Sequence, residues 1–366
     1  MRTFEYNKDA LNNLKIQDTS LLDPLIDFES ARSAHMKKDR THRDKRVSLK
    51  EAIGELVKDG DVLSDTGFSY VRTPMQAYFE ILRQGKKDLQ IIGSPNSNQS
   101  YMISFGAGRY SHNSYSGAEM RGYDRAYSNL VISGKAAILS EWSHGTMAQG
   151  FKAAHLGLPG VFSKQLLGSD ILKYNPYVKV MQNPMRSDPD PVVFVPALYP
   201  DIAIIHVQAA DRFGNARMYG PPVNDIALAA AARNIIITAE EIVPPADIRS
   251  NNKGVAIPFT YVDAVVELPY GAAPGSMPGC YYWSRQWWEK LMRWACQSEK
   301  NTREYFDYWV FGSKDQFDFI EKLGGAKWIA NSRRITKAEE YDNEDLGVEF
   351  SYREFTTLET ESGIYY

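Results

Sequence analysis

The chain has 366 residues, of which 43% are hydrophobic, 24% charged and 12% aromatic, the balance of a globular protein rather than a disordered one. Lys plus Arg number 42 and Asp plus Glu 45, a net charge of −3. That excludes a strongly basic nucleic-acid binder, because such binding rests on neutralising phosphates.

Cys280 and Cys296 form no CxxC and no Cys/His metal spacing, so no metal is expected and a reducing compartment suits them. The first residues lack the apolar stretch of a signal peptide. No run reaches the roughly 18 apolar residues of a membrane span, so no membrane contact is expected and the cytoplasm is the expected location. The length allows about two domains, or one large α/β domain with extensions.

Residues 1–46 read as a polar N-terminal extension ending in a basic run from Lys37 to Arg46. A solvated segment is the plain reading of such a run, and contact with a partner chain the sharper one. From Val47 the texture changes. Ser48 followed by Glu51 is a capping box, and Leu49, Ile53 and Leu56 recur at helical spacing, which predicts a helix over 48–57. Residues 62–65 read as a short strand. Thr73-Pro74 then starts a helix reaching about Arg83, since proline suits the first helical turn.

The pattern repeats. Residues 89–93 read as a strand, 135–139 are apolar, and 146–156 read as a helix. The β-branched runs at 203–207 and 235–238 have the texture of strands buried on both faces. The stretch 226–237 reads as an amphipathic helix leading into the second of them, and 261–267 is a further strand candidate. Strands alternating with helices imply an α/β fold, an open, mostly parallel sheet with helices on both faces. Residues 281–330 are aromatic-rich and helical in pattern, and 281–288 read as a surface for interface packing. A tail over 331–366 turns acidic. The body is therefore expected over 47–330.

Four segments offer chemistry. The loop Asp65-Thr66-Gly67-Phe68, followed by Arg72, lies where α/β proteins bind ligands, at the carboxyl end of a strand. Gly67 lets a ligand approach the backbone, and Arg72 could grip a carboxylate or phosphate with two prongs. Spacing alone favours an ordinary strand-to-helix turn. Ser94 and Asn96, in Gly93-Ser94-Pro95-Asn96, offer hydrogen bonds to a substrate, or form a polar turn. His144, in Glu141-Trp142-Ser143-His144-Gly145, could act as acid, base or donor, or be structural. Lys164 could face an anion beside Gly168 and Ser169, or be solvated. No GxGxxG, GxxxxGK[ST] or GxSxG occurs, so dinucleotide, phosphate-loop and nucleophile-elbow chemistries have no support.

Read together, several landmarks in order carry a family resemblance. They are Leu49-Lys50-Glu51-Ala52-Ile53, Gly67-Phe68 with Arg72-Thr73-Pro74, Leu156-Gly157-Leu158-Pro159, Ala203-Ile204-Ile205-His206, Glu240-Glu241-Ile242 and Pro269-Tyr270-Gly271-Ala272. From about Ser48 to Trp328 the chain resembles the A (α) subunits of family I coenzyme A transferases, and among them the glutaconate type.

The resemblance implies the fold above and a hetero-oligomer with a B (β) subunit. That partner supplies the glutamate nucleophile. It also implies coenzyme A as a substrate, with acyl-CoA and a carboxylic acid as reactants. His144 and Lys164 are the expected catalytic residues, and Gly67, Phe68, Arg72, Ser94, Asn96, Gly168 and Ser169 the expected substrate contacts. The family's usual glycine pair before phenylalanine is Thr66-Gly67 here. Glu361-Ser362-Gly363 is similar to the nucleophile segment of β subunits but lies outside any strand pattern. The chain is similar also to CoA-dependent hydrolases that open rings of degraded steroids. Their catalytic glutamate falls in the segment matching 142–145, where His144 stands. A non-catalytic homologue is the third reading.

Overall fold

The β-branched runs lie side by side in one parallel sheet. The computed structural model describes residues 3–65, 67–93, 99–116, 124–220, 222–251 and 254–337. In chain order the strands are β1 (Val62–Asp65), β2 (Leu89–Ile92), β3 (Gly108–Asn113), β4 (Ala137–Glu141), β5 (Gly160–Ser163), β6 (Lys179–Gln182), β7 (Pro191–Pro196), β8 (Ile202–Ala210), β9 (Ala216–Arg217), β10 (Asn234–Ile242), β11 (Val255–Ile257) and β12 (Ala264–Glu267). The order β12-β10-β8-β1-β2-β3-β4 is parallel throughout. β9 and β11 add antiparallel pairs beside β8. β5, β7 and β6 form a separate antiparallel unit that the sequence pattern does not announce.

Both faces of the sheet are covered, as alternation of apolar side chains on doubly buried strands requires. Leu63, Ile91, Ile204 and Ile236 face a core that includes helices Leu49–Leu56, Met75–Arg83 and Arg285–Arg293. Val62, Ile92, Ile205 and Ile235 face helices His144–His155 and Asp225–Ala231. The expected capping box is formed in full, with Glu51 N–H donating to Ser48 Oγ and Ser48 N–H to Glu51 Oε2.

Two expectations are corrected. Interface packing does not describe Trp287 and Trp288. Both are 1% exposed and pack within this chain, Trp287 against Phe79 and Phe306. Each such ring buries on the order of 150–250 Å², so the helix that carries them closes the core. The basic run is not wholly solvated either. Lys38 Nζ meets Asp263 at 2.8 Å, and Lys45 Nζ donates to the carbonyls of Phe259 and Val262 at 2.7 Å each. Long stems bury while the ammonium finds oxygen acceptors. Upstream, Leu22, Leu25 and Ala31 are buried in the body's clusters.

His112, on β3, is fully buried, and desolvation pushes its pKa down to about 3. It stays neutral in the folded chain where the unfolded chain would protonate it. Below about pH 6.5 the unfolded state binds the extra proton, so this histidine removes up to about 1.4 kcal/mol of stability per pH unit as pH falls toward 3. Asp61, raised by burial to about 6, acts in the opposite sense between its unfolded pKa and 6. The His112 contribution is therefore read by difference. Urea unfolding of wild type and His112→Asn should show the stability gap narrowing by about 2–3 kcal/mol between pH 7 and 4.5. A gap independent of pH would contradict this.

Candidate functional site

The sheet reverses its winding between β1 and β8. From β1 the chain runs outward through β2, β3 and β4, then returns to build β8, β10 and β12 on the other side. The crevice at the carboxyl ends beside such a reversal is where open α/β sheets bind ligands.

The turn after β1 stands at that point. Phe68 N–H donates to the Val71 carbonyl at 2.8 Å, and Val71 N–H returns a bond to Phe68 at 2.9 Å. Gly67, Ser69 and Arg72 all have positive φ, 104°, 57° and 61°. Such backbone costs about 1–3 kcal/mol per residue and persists where its surroundings over-determine it. Here they do. Thr73 Oγ1 donates to the Ser69 carbonyl at 2.7 Å, Arg72 N–H to Ser276 and Ser276 N–H to Tyr70. Tyr70 stacks on Trp283 with centroids 4.5 Å apart. Held in this way, the turn leaves Phe68 44% exposed.

Arg72 is engaged within the chain. Its guanidinium forms the expected two-pronged bond, but with Asp225, Nη1 to Oδ1 at 2.7 Å and Nη2 to Oδ2 at 3.0 Å. Both side chains are enclosed, at 1% and 0% exposure. Arg72 thus ties the turn to the start of the helix Asp225–Ala231.

Beyond β2, β3 and β4 a second group gathers. Ser114 Oγ donates to the Gly93 carbonyl at 3.0 Å and lies 3.5 Å from His144 Nδ1. The Tyr115 ring lies 6.0 Å from that imidazole. His144 opens the helix His144–His155, which Ser143 and Thr146 cap reciprocally. Asn113 Nδ2 donates to Glu141 Oε2 at 3.1 Å, and Asn113 Oδ1 is enclosed with no hydrogen-bond partner among the described residues. Burial pushes the Glu141 carboxyl above its ordinary pKa, against the pull of that one bond.

Lys164 is exposed at the end of β5 and joined to Asp190 and the Pro191 carbonyl. The next residue, Gln165, is the one that reaches the His144 turn. Ser143 Oγ donates to its Oε1 at 3.3 Å, and a Cβ at Gly145 would lie only 2.3 Å from the same oxygen. Gly168, at φ 79°, and Ser169, whose hydroxyl donates to the Leu166 carbonyl, shape a turn. Ser94, Asn96, Thr66 and Glu361 lie outside the described residues. Nothing in the sequence pattern singles out Ser114, Tyr115 or Gln165. Glu141 stands inside the third motif, where the pattern gives it no role.

The family model for coenzyme A transferase matches residues 46–268, more than half of the chain. This chain belongs to the coenzyme A transferase family. It is 31% identical to the α subunit of the 3-oxoadipate CoA-transferase of Pseudomonas knackmussii, over 77% of this chain and 99% of that protein. With the α subunit of the glutaconate CoA-transferase of Acidaminococcus fermentans the identity is 31% over 78% and 93%. The solved structure of that enzyme superposes with a TM-score of 0.74 at 30% identity, covering 79% of this chain and 95% of the other. The chain is also similar, at 26% identity over 76% of its length and 96% of the relative's, to the cholesterol ring-cleaving hydrolase IpdA subunit of Rhodococcus jostii. The transferase family thus agrees with the fold and with the sequence landmarks. Among the described residues no helix is long and apolar enough to cross a membrane.

Proposed function

We propose that this chain is the α subunit of a heteromeric CoA transferase that moves CoA between carboxylic acids, active only with a β subunit that carries the glutamate nucleophile. The β-subunit carboxylate attacks the acyl-CoA carbonyl and expels the CoA thiolate, leaving a mixed anhydride. The thiolate then attacks the glutamyl carbonyl of that anhydride, releasing the first acid and forming a glutamyl-CoA thioester. The second acid enters by the same steps in reverse and regenerates the carboxylate. Dividing one hard displacement into easier ones is the gain of covalent catalysis.

The observation that carries this reading is the locked turn over 67–72 at the winding reversal, on a chain similar to two CoA-transferase α subunits. In this scheme the Gly67 backbone and the Phe68 ring wall the acyl pocket. His144, beside Ser114, donates toward the carbonyl oxygen as charge develops on it. The test uses the assembled α and β subunits with an acyl-CoA. A β-subunit adduct with the mass of a thioester-linked CoA is expected. His144→Ala is expected to assemble normally and to lose about 100-fold in turnover. Unchanged kinetics would remove His144 from the site.

Glu141 favours a second reading, a CoA-dependent ring-opening hydrolase. A buried carboxyl of raised pKa suits acid–base work on water. That reading predicts no adduct on the β subunit and product oxygen drawn from labelled water. A complex that binds no acyl-CoA would point instead to a non-catalytic homologue.

A further inference from the structure

Trp142 opens the turn that carries His144, and its indole is held from two sides by residues that lead back to the N-terminal segment. On one side runs a chain of hydrogen bonds. Trp142 Nε1–H donates to Ser140 Oγ at 2.6 Å. Ser140 Oγ lies 2.8 Å from His112 Nδ1, and His112 Nε2 lies 3.0 Å from Gln90 Oε1. Gln90 Nε2 then donates to the Leu21 carbonyl at 3.1 Å.

The directions follow from the chemistry. An amide oxygen only accepts, so His112 carries its proton on Nε2, and Nδ1 accepts from the Ser140 hydroxyl. Every bond therefore points the same way, from Trp142 across β4, β3 and β2 to Leu21. His112 and Ser140 are 0% exposed and Gln90 4%. On the other side Trp142 stacks on Tyr177, with centroids 5.8 Å apart and planes at 28°. The Tyr177 hydroxyl donates to the Leu22 carbonyl at 3.2 Å, and its ring meets Tyr6 edge-on. Tyr6, Leu21 and Leu22 all precede the segment that the transferase family model matches.

We propose that the N-terminal segment is a positioning element of the site. Through Gln90, His112 and Ser140 on one side and Tyr177 on the other, it sets the Trp142 indole and with it the start of the His144 helix. This rests on the role proposed for His144. A buried polar chain of this kind rigidifies what it joins when every member is satisfied, and His112, neutral across the physiological range, holds the one tautomer the chain allows.

The test uses this chain assembled with its β subunit. In Gln90→Leu the link to Leu21 is gone. Turnover should fall about tenfold, the scale of a small misplacement at a reacting centre, with KM for acyl-CoA within about twofold of wild type. Backbone amide exchange over 142–147 should speed up while that over 62–65 is unchanged. Gln90→Glu supplies the second arm. Its protonated carboxyl both accepts from His112 and donates to Leu21, whereas its carboxylate cannot donate. The turnover of this variant should therefore be retained at acid pH and fall as pH rises, a limb wild type lacks.

Unchanged turnover and exchange in Gln90→Leu would overturn the proposal. So would a Gln90→Glu profile parallel to wild type. If Gln90→Leu fails to assemble, the pH profile of Gln90→Glu decides alone. If His144→Ala is fully active while exchange over 142–147 still responds to Gln90→Leu, the role of His144 fails and the positioning of its turn stands.

Discussion

Replacing Gly67 by alanine is expected to abolish useful turnover, with a loss of about 100-fold or more, the scale of a 1 Å displacement at a reacting centre. A Cβ there would lie 2.4 Å from the Val71 carbonyl oxygen and 2.7 Å from Thr73 N. Both are backbone atoms, the first inside the turn closed by two hydrogen bonds and the second directly after it. At φ 104° the backbone is also strained for any residue with a side chain, by about 1–3 kcal/mol. The turn must open, and Phe68 moves with it. Steady-state kinetics of the assembled complex check this, with circular dichroism showing that the sheet is retained. Wild-type turnover in Gly67→Ala would mean that the turn does not border the reacting atoms.

The second large effect is on stability. Arg72→Met should cost about 3–5 kcal/mol, because it leaves the Asp225 carboxylate buried without its counter-charge. The remaining bond from Val223 N–H at 3.1 Å is too little to hold a full charge away from water. The double variant Arg72→Met with Asp225→Leu should recover most of that loss, since removing both charges removes the desolvation penalty together with the attraction. Urea unfolding of the three variants, including Asp225→Leu alone, closes the cycle. Equal costs for the single and double variants would show that packing, not charge, governs this position.

What the sequence revealed and what it hid divide on physical lines. The central strands were legible because doubly buried strands are rich in β-branched residues, as at Ile202, Ile204, Ile205 and Val207 of β8. Helix starts were legible from local caps, as at Ser48. β3 was not, because Gly108–Asn113 buries Ser111 and His112 inside the sheet and so reads as polar. β6 was not, because Lys179–Gln182 is exposed along its length. In the candidate site, Gly67 and Phe68 stood out by their place after a strand, and they lie in the closed turn beside the winding reversal. Arg72 was drawn toward a ligand because its true partner, Asp225, stands 153 residues away, and no local pattern points to it. Lys164 drew attention by its charge, while the neutral Gln165 beside it makes the contact to Ser143. Fold class is written in periodicity, but the partner of a charged side chain is written in topology.

That topology also governs how the chain is made. β1 receives β2 early, Val62 against Gln90, but its other neighbour, β8, brings Ile202 beside Leu63 only after β4 and the whole antiparallel unit have been synthesised. At 5–20 residues per second, the interval between Glu141 and Ile202 leaving the ribosome is roughly 3–12 s. Through that time the β1 edge of the first half-sheet stays open, the edge that later lies at the centre of the sheet. An open edge of apolar strand is a template for pairing with a foreign chain. Nascent chains of this protein therefore pass through a window of several seconds in which a chaperone, or a stray β-strand, competes with β8 for the same row of backbone groups.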